Sequence, residues 1–239
     1  MNNSLHIDKG GKMKLSGSIL KLLAVITMVI DHIGAYMLND VPAWTAPLFT
    51  VGTTDITVLW MMRTVGRLAF PLFCFLMVEG FYHTHDRSRY GRQLLLFALL
   101  SEIPWDLINH GRWFCLSSQN VFFSLWLGYL AMVLMDKYRT DLFILFLGMT
   151  VLAVSTILFR ADYGMGGFLF MISLYVWRPS WLGKFLPGIF LLPTGWAACL
   201  ASIPCRFYNG TRGFIKGNWL KFTFYIFYPV HLLVLWWLK

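Results

Sequence analysis

RTVGRLAFPLFCFLMVEGFYHTHDRSRYGRQLLLFALLSEIPWD, residues Arg63 to Asp106, is the stretch that decides the fold. Two apolar runs meet at a basic turn, and Arg63, Arg67, Glu79, Glu102 and Asp106 are set inside the runs. A bilayer core takes ~20 apolar residues per helix, so each run is of spanning length. A charge at that depth costs roughly 2.5–3.5 kcal/mol on insertion scales, so such residues face a bundle interior and mark a site.

The rest of the chain agrees with this reading. Hydrophobic residues make up 58% of the 239 and charged residues only 13%, far from the roughly 45–50% and 25% of a soluble domain. The class is all-α: a polytopic integral membrane helix bundle of about eight hydrophobic segments, seven to nine crossings, forming one domain over residues 1–239. The net charge of +9 would point to nucleic acid in a soluble protein. Here Lys and Arg sit mainly in short loops between apolar runs, where topology accounts for them and no nucleic-acid partner is expected. Cys74, Cys115, Cys199 and Cys205 have no ligand spacing and read as packing residues.

Residues 1–17 form a basic tail with Lys9, Lys12 and Lys14. The following run contains Asp31 and has no small-residue cleavage pattern, so it is a retained helix rather than a signal peptide. It covers Ser18 to Leu38, and the loop Asn39 to Ile56 after it has no Lys or Arg, which puts the N-terminus in the cytoplasm. Segment two, Thr57 to Tyr82, should be kinked by Pro71. Segment three runs from Gln93 to Ile108, segment four from Asn120 to Met135 and segment five from Leu142 to Phe159. RADYGMGG makes a glycine-rich turn into a short segment six, Phe168 to Trp177. Segment seven, Trp181 to Cys205, is interrupted by Pro187, Pro193 and Gly195, and segment eight is Trp219 to Leu238. Eight full crossings would carry the basic loop Arg206 to Lys221 outside, against the positive-inside rule, so the parity of segments five to seven stays open. P-loop, GxSxG and HExxH motifs are absent.

Counting depth from the turn near residue 86 sets Arg67 level with Asp106, and Glu102 level with Pro71. Glu102 and Asp106, spaced i,i+4, share one helix face, as Arg63 and Arg67 do. Asp31 and His32 lie ~19 Å into segment one and Arg67 ~22 Å into segment two, at 1.5 Å per residue. His231 reaches that layer, at ~18 Å, only if segment eight enters from the cytoplasm. In the functional reading His32 or His231 is a general base, because an imidazole near its free pKa takes a proton at neutral pH. Asp31 would stabilise a histidine, and Arg67 developing negative charge. Arg87, Arg89 and Arg92, on the cytoplasmic rim, would hold the phosphates of a cofactor such as coenzyme A. The plainer readings are a basic loop that serves topology, an ion pair that only neutralises, and histidines that only pack.

These residues resemble the TraX family, membrane proteins named for pilin acetylation in bacterial conjugation and distantly similar to the membrane acyltransferase superfamily. The resemblance rests on LKLLAVITMVIDHIGA (Leu20 to Ala35), RTVGRLAFPLFCFLMVEGFYHT (Arg63 to Thr84), LLLFALLSEIPWDL (Leu94 to Leu107), NVFFSLWLG (Asn120 to Gly128) and FYIFYPVHL (Phe224 to Leu232). It implies an enzyme of a bacterial inner membrane that transfers an acetyl group from acetyl-CoA to an acceptor at the membrane or cell surface. A pilin N-terminus and a glycan or lipid hydroxyl both fit that acceptor. Asp31, His32, Arg67, Glu79, Glu102, Asp106 and His231 all fall in the matched stretches. The residues alone also accommodate a proton-coupled transporter or flippase, or a non-catalytic scaffold held by ion pairs.

Overall fold

The structure is a computed structural model that describes residues 5–7, 13–180, 183, 185–194, 196–215 and 217–239. The helices are α1 (Gly17–Ile33), α2 (Pro42–Thr45), α3 (Val58–Gly66), α4 (Ala69–His83) and α5 (Arg87–His110), then α6 (Val121–Lys137), α7 (Leu142–Leu158), α8 (Gly164–Val176), α9 (Ser202–Arg206) and α10 (Asn218–Leu238). There are two short antiparallel hairpins, β1 (Leu5–Ile7) with β2 (Met13–Leu15) and β3 (Phe49–Val51) with β4 (Thr54–Ile56), and Leu15 of β2 is buried in the core. Among the described residues, Gly17–Leu38 and Val58–His83 are long and apolar enough to cross a membrane, and Leu142–Leu158, Gly164–Val176 and Phe222–Leu238 are shorter apolar helices. The chain is an all-α membrane protein.

Asn120 caps α6 by accepting from the Phe122 N–H, and Asp86 and Asp141 cap α5 and α7 in the same way. Each side-chain oxygen satisfies one of the donors that a helix start leaves open. α1 continues into a π-helical turn, Gly34–Leu38. Segment two is two helices, and the break is at Arg67 and Leu68 rather than at Pro71. The cause is still the proline: with no N–H, Pro71 cannot bond the carbonyl four residues back, which is that of Arg67.

The hairpin of α4 and α5 does not close on itself. α4 packs on α1, while α5 packs on α6 and α10. In lipid no hydrophobic force drives helices together, so small residues set their approach. A Cβ on Gly128 of α6 would collide with Met171 Cε on α8.

Segment seven does not carry the chain to the other end of the bundle. Leu186–Thr194 and Trp196–Ala201 are 3-10 helices that lie side by side, with Gly188 against Cys199. Trp181 and Gly195, part of that segment as expected, fall outside the described residues. The chain returns to where it left α8: Leu15 N–H donates to Phe207 O at 2.7 Å, and Gly17 N–H to Thr211 O at 2.8 Å. α10 therefore starts beside the start of α1 and runs parallel to it.

Candidate functional site

Parallel α1 and α10 bring two histidines together from 199 residues apart: His32 Nδ1 lies 2.7 Å from His231 Nε2, with the rings stacked at 4.9 Å. The proton positions follow from the partners. His231 Nδ1 lies 2.9 Å from the Phe227 carbonyl, which can only accept, so Nδ1 carries the proton and donates. His231 Nε2 then holds a lone pair and takes the N–H of His32 Nδ1. His32 is left with its lone pair on Nε2, the form a base requires.

His32 lines a cavity of about 150 Å³ between α1, α4, α5, α6 and α10. Its walls are mostly apolar and aromatic, including Phe70, Met77, Leu94, Leu125 and Tyr225. Lys21 stands at one end, and Asp31, His32, Asp162 and Tyr163 at the other. Lys21 and Asp31 are ten residues apart on one helix, or ~15 Å. The splayed α4 and α5 make room for this slot.

Asp31 is held by Arg63, whose Nη1 lies 2.8 Å from Asp31 Oδ2 and also donates to the Asp31 carbonyl at 3.3 Å. Asp31 Oδ1 is buried without a hydrogen-bond partner. It lies so close to Gly66 that a Cβ there would collide with it. Arg67, where the helix breaks, acts on Asp31 and Asp162 through its charge.

The expected facing of Arg67 with Asp106 is not observed. Asp106 Oδ2 accepts the Cys115 N–H at 2.7 Å, and Glu102 accepts from the Asn120 amide. The two carboxylates look toward α6 and the loop before it, because α5 packs on α6 instead of α4. Nor is Asp31 the partner of a histidine; that place is taken by the second histidine. Glu79 is paired at the opposite end of the bundle with Arg178, which donates twice, at 2.9 and 3.0 Å, and whose proton is held more tightly by those bonds. Arg87 is engaged by Asp136 and stacks 4.4 Å over Phe81, so it is committed to packing α5 on α6. Arg89 and Arg92 are exposed. The four cysteines form no disulfide.

Sequence reasoning missed Asp162, Tyr163, Gly66 and Arg178. Asp162 and Tyr163 sit in the glycine-rich turn before α8, where an acidic residue beside an aromatic one between two apolar runs was the only signal. Tyr163 stacks on Phe70 at 3.6 Å and its N–H donates to Ser124 Oγ at 3.3 Å, which fixes the turn at the cavity.

The profile described as TraX protein matches residues 16–239. A "probable fimbrial assembly protein" of Dichelobacter nodosus is 28% identical over 254 aligned positions, covering 90% of this chain and 92% of that protein. An uncharacterized protein of Rickettsia prowazekii is 28% identical over 110 positions, covering 46% of this chain and 34% of that protein. No solved structure matches the chain.

Proposed function

The chain belongs to the TraX family, and from that premise we propose that it is a membrane-bound acyltransferase that moves an acetyl group from acetyl-CoA to an amine or hydroxyl acceptor. The observation that carries this reading is the His32–His231 pair at one end of an apolar slot. A slot of ~15 Å is far longer than a two-carbon acyl group and suits a linear thioester arm, with its anionic head near Lys21. Arg89 and Arg92 are exposed on the first turns of α5, whose Tyr90 lines the slot.

In the reaction His32 Nε2 takes the proton of the acceptor nucleophile, whose free pair attacks the thioester carbonyl, and the thiolate leaves. His231 holds the tautomer through Phe227 O. Asp31, held by Arg63, stands at the same end of the slot as His32, and Arg63 and Arg67 oppose the charge that builds on the carbonyl oxygen. The relative named for fimbrial assembly makes a pilin N-terminus the favoured acceptor.

The same reading carries a proposed topology. Lys14, Arg89, Arg92, Arg139, Arg206 and Arg212 belong to the end where α1 starts, which makes that end cytoplasmic. Crossings by α1, α3 with α4, α5, α6, α7, α8 and α10, with 186–206 folded back, put Lys239 outside. The protein is then a multi-pass inner-membrane enzyme in one domain.

A transport reading would draw on the interrupted stretch 186–206. That stretch lines a separate small cavity with Pro71 and Phe75, and among its described residues none lines the slot at His32, so acyl transfer is favoured. Purified protein incubated with labelled acetyl-CoA and membrane extract should yield a labelled acceptor, and His32→Ala should abolish it. Labelling that survives His32→Ala would overturn the assignment.

A further inference from the structure

A second histidine centre lies in the loop between α5 and α6. His110, on the last turn of α5, has its Nε2 3.0 Å from Ser117 Oγ and 3.2 Å from Ser118 Oγ. Ser118 Oγ also accepts the Trp105 indole N–H at 3.3 Å. The same indole N–H also reaches the Ser118 carbonyl at 3.3 Å, so Trp105 pins the loop through both oxygens of Ser118. In the tautomer with its lone pair on Nε2, His110 accepts from these hydroxyls. Ser117 Oγ also lies 3.1 Å from the Cys115 thiol.

The loop is held in place. Cys115 N–H is bound by the fully buried Asp106, and at the far end Gln119 N–H donates to Arg160 O and Asp162 N–H to Gln119 O. Asp106, expected to balance Arg67, instead anchors this loop. Ser117 is exposed, beside the exposed side chains of Phe114 and Leu116. Nucleophile and base stand within hydrogen-bond reach.

We propose that Ser117 is an activated nucleophile, with His110 as its base, that takes an acyl group from ester or thioester donors. Ser117 Oγ bonds to the acyl carbon, the bond from that carbon to the donor's oxygen or sulfur breaks with its electron pair going to the leaving group, and the Ser117 proton passes to His110 Nε2. His110 hands that proton to the leaving group; when water or an acceptor amine then takes the acyl group, His110 removes that nucleophile's proton and returns it to Ser117 Oγ as the bond to the acyl carbon breaks. The centre uses no residue of the slot, so it stands or falls apart from the assignment of His32.

The test uses the full chain in detergent with two probes, p-nitrophenyl acetate and a fluorophosphonate. Wild type should release a burst of nitrophenolate equal to the protein present, and peptide mapping should find both adducts on Ser117. Ser117→Ala should lose both, and His110→Ala should slow them by ~100-fold, within the usual range for a general base. His32→Ala should label as wild type does. Should His110→Ala not fold, His110→Gln keeps a polar group beside both hydroxyls but takes no proton, and should be as slow. No adduct on Ser117 in folded wild type, an adduct on Cys115 instead, or a rate indifferent to His110 would each overturn the proposal.

Discussion

The chain holds two histidine centres built in opposite ways. At the cavity, His32 and His231 come from helices 199 residues apart, and the pair exists only because α10 enters the bundle at the same end as α1. In the loop, His110, Cys115, Ser117 and Ser118 lie within nine residues, and local hydrogen bonds are enough to assemble them. A long-range centre is sensitive to every helix that sets its geometry. A local one depends on a few anchors, here Asp106 and Trp105. Variants can therefore separate the two.

The largest separation should come from His32→Ala, which is expected to reduce transfer by ~10²–10⁴-fold, the range for loss of a general base, while leaving Ser117 reactive. Measuring both activities on one preparation makes the comparison. His231→Ala should cost less, on the order of tenfold, because His231 only holds the tautomer. His231→Gln, whose amide oxygen can accept the His32 N–H, should recover part of the loss. If His231→Ala and His32→Ala were equal, His231 would be more than a positioning residue.

Gly66→Ala tests the packing that supports the cavity. The new methyl would collide with Asp31 Oδ1, so thermal unfolding in detergent should show a loss of about 1–3 kcal/mol, as for other overpacked sites. Ser117 labelling in the folded fraction should be unchanged. The smallest effect is expected at the rim. Arg89→Ala, on an exposed side chain, should raise the KM for acetyl-CoA a few-fold and alter stability by less than about 0.5 kcal/mol. Arg87→Ala breaks the link to Asp136 and should lower stability more than it changes KM. A reporter fused after Lys239 would complete the comparison: activity of an outward-facing reporter is expected, and a cytoplasmic signal would put the last helix the other way round.

Much of the bundle is legible in the order of the residues. The boundaries of α1, α6, α7 and α10 fall within a few residues of the apolar runs, and Asn120 is recognisable as a cap. Segment seven is not legible, because prolines at 187, 193 and 204 permit either a broken crossing or a folded-back pair of 3-10 helices. Only contacts with α8 and with the start of α1 decide between them. Asp162 escapes notice because a turn between apolar runs gives no sign that it folds inward over a cavity.

Sequence by itself determined height. At 1.5 Å per residue, a position along a helix fixes depth, and depth alone set Asp31, His32 and His231 in one layer and made their meeting conditional on the direction of the last helix. What only the tertiary structure decided is azimuth, the side of each helix that faces each neighbour. That choice rests on packing between helices, through close approaches such as Gly66 on Asp31 and Gly128 on Met171. It turned Arg63 rather than Arg67 to Asp31, sent Asp106 to the loop, and opened between α4 and α5 the slot that a closed hairpin would have filled.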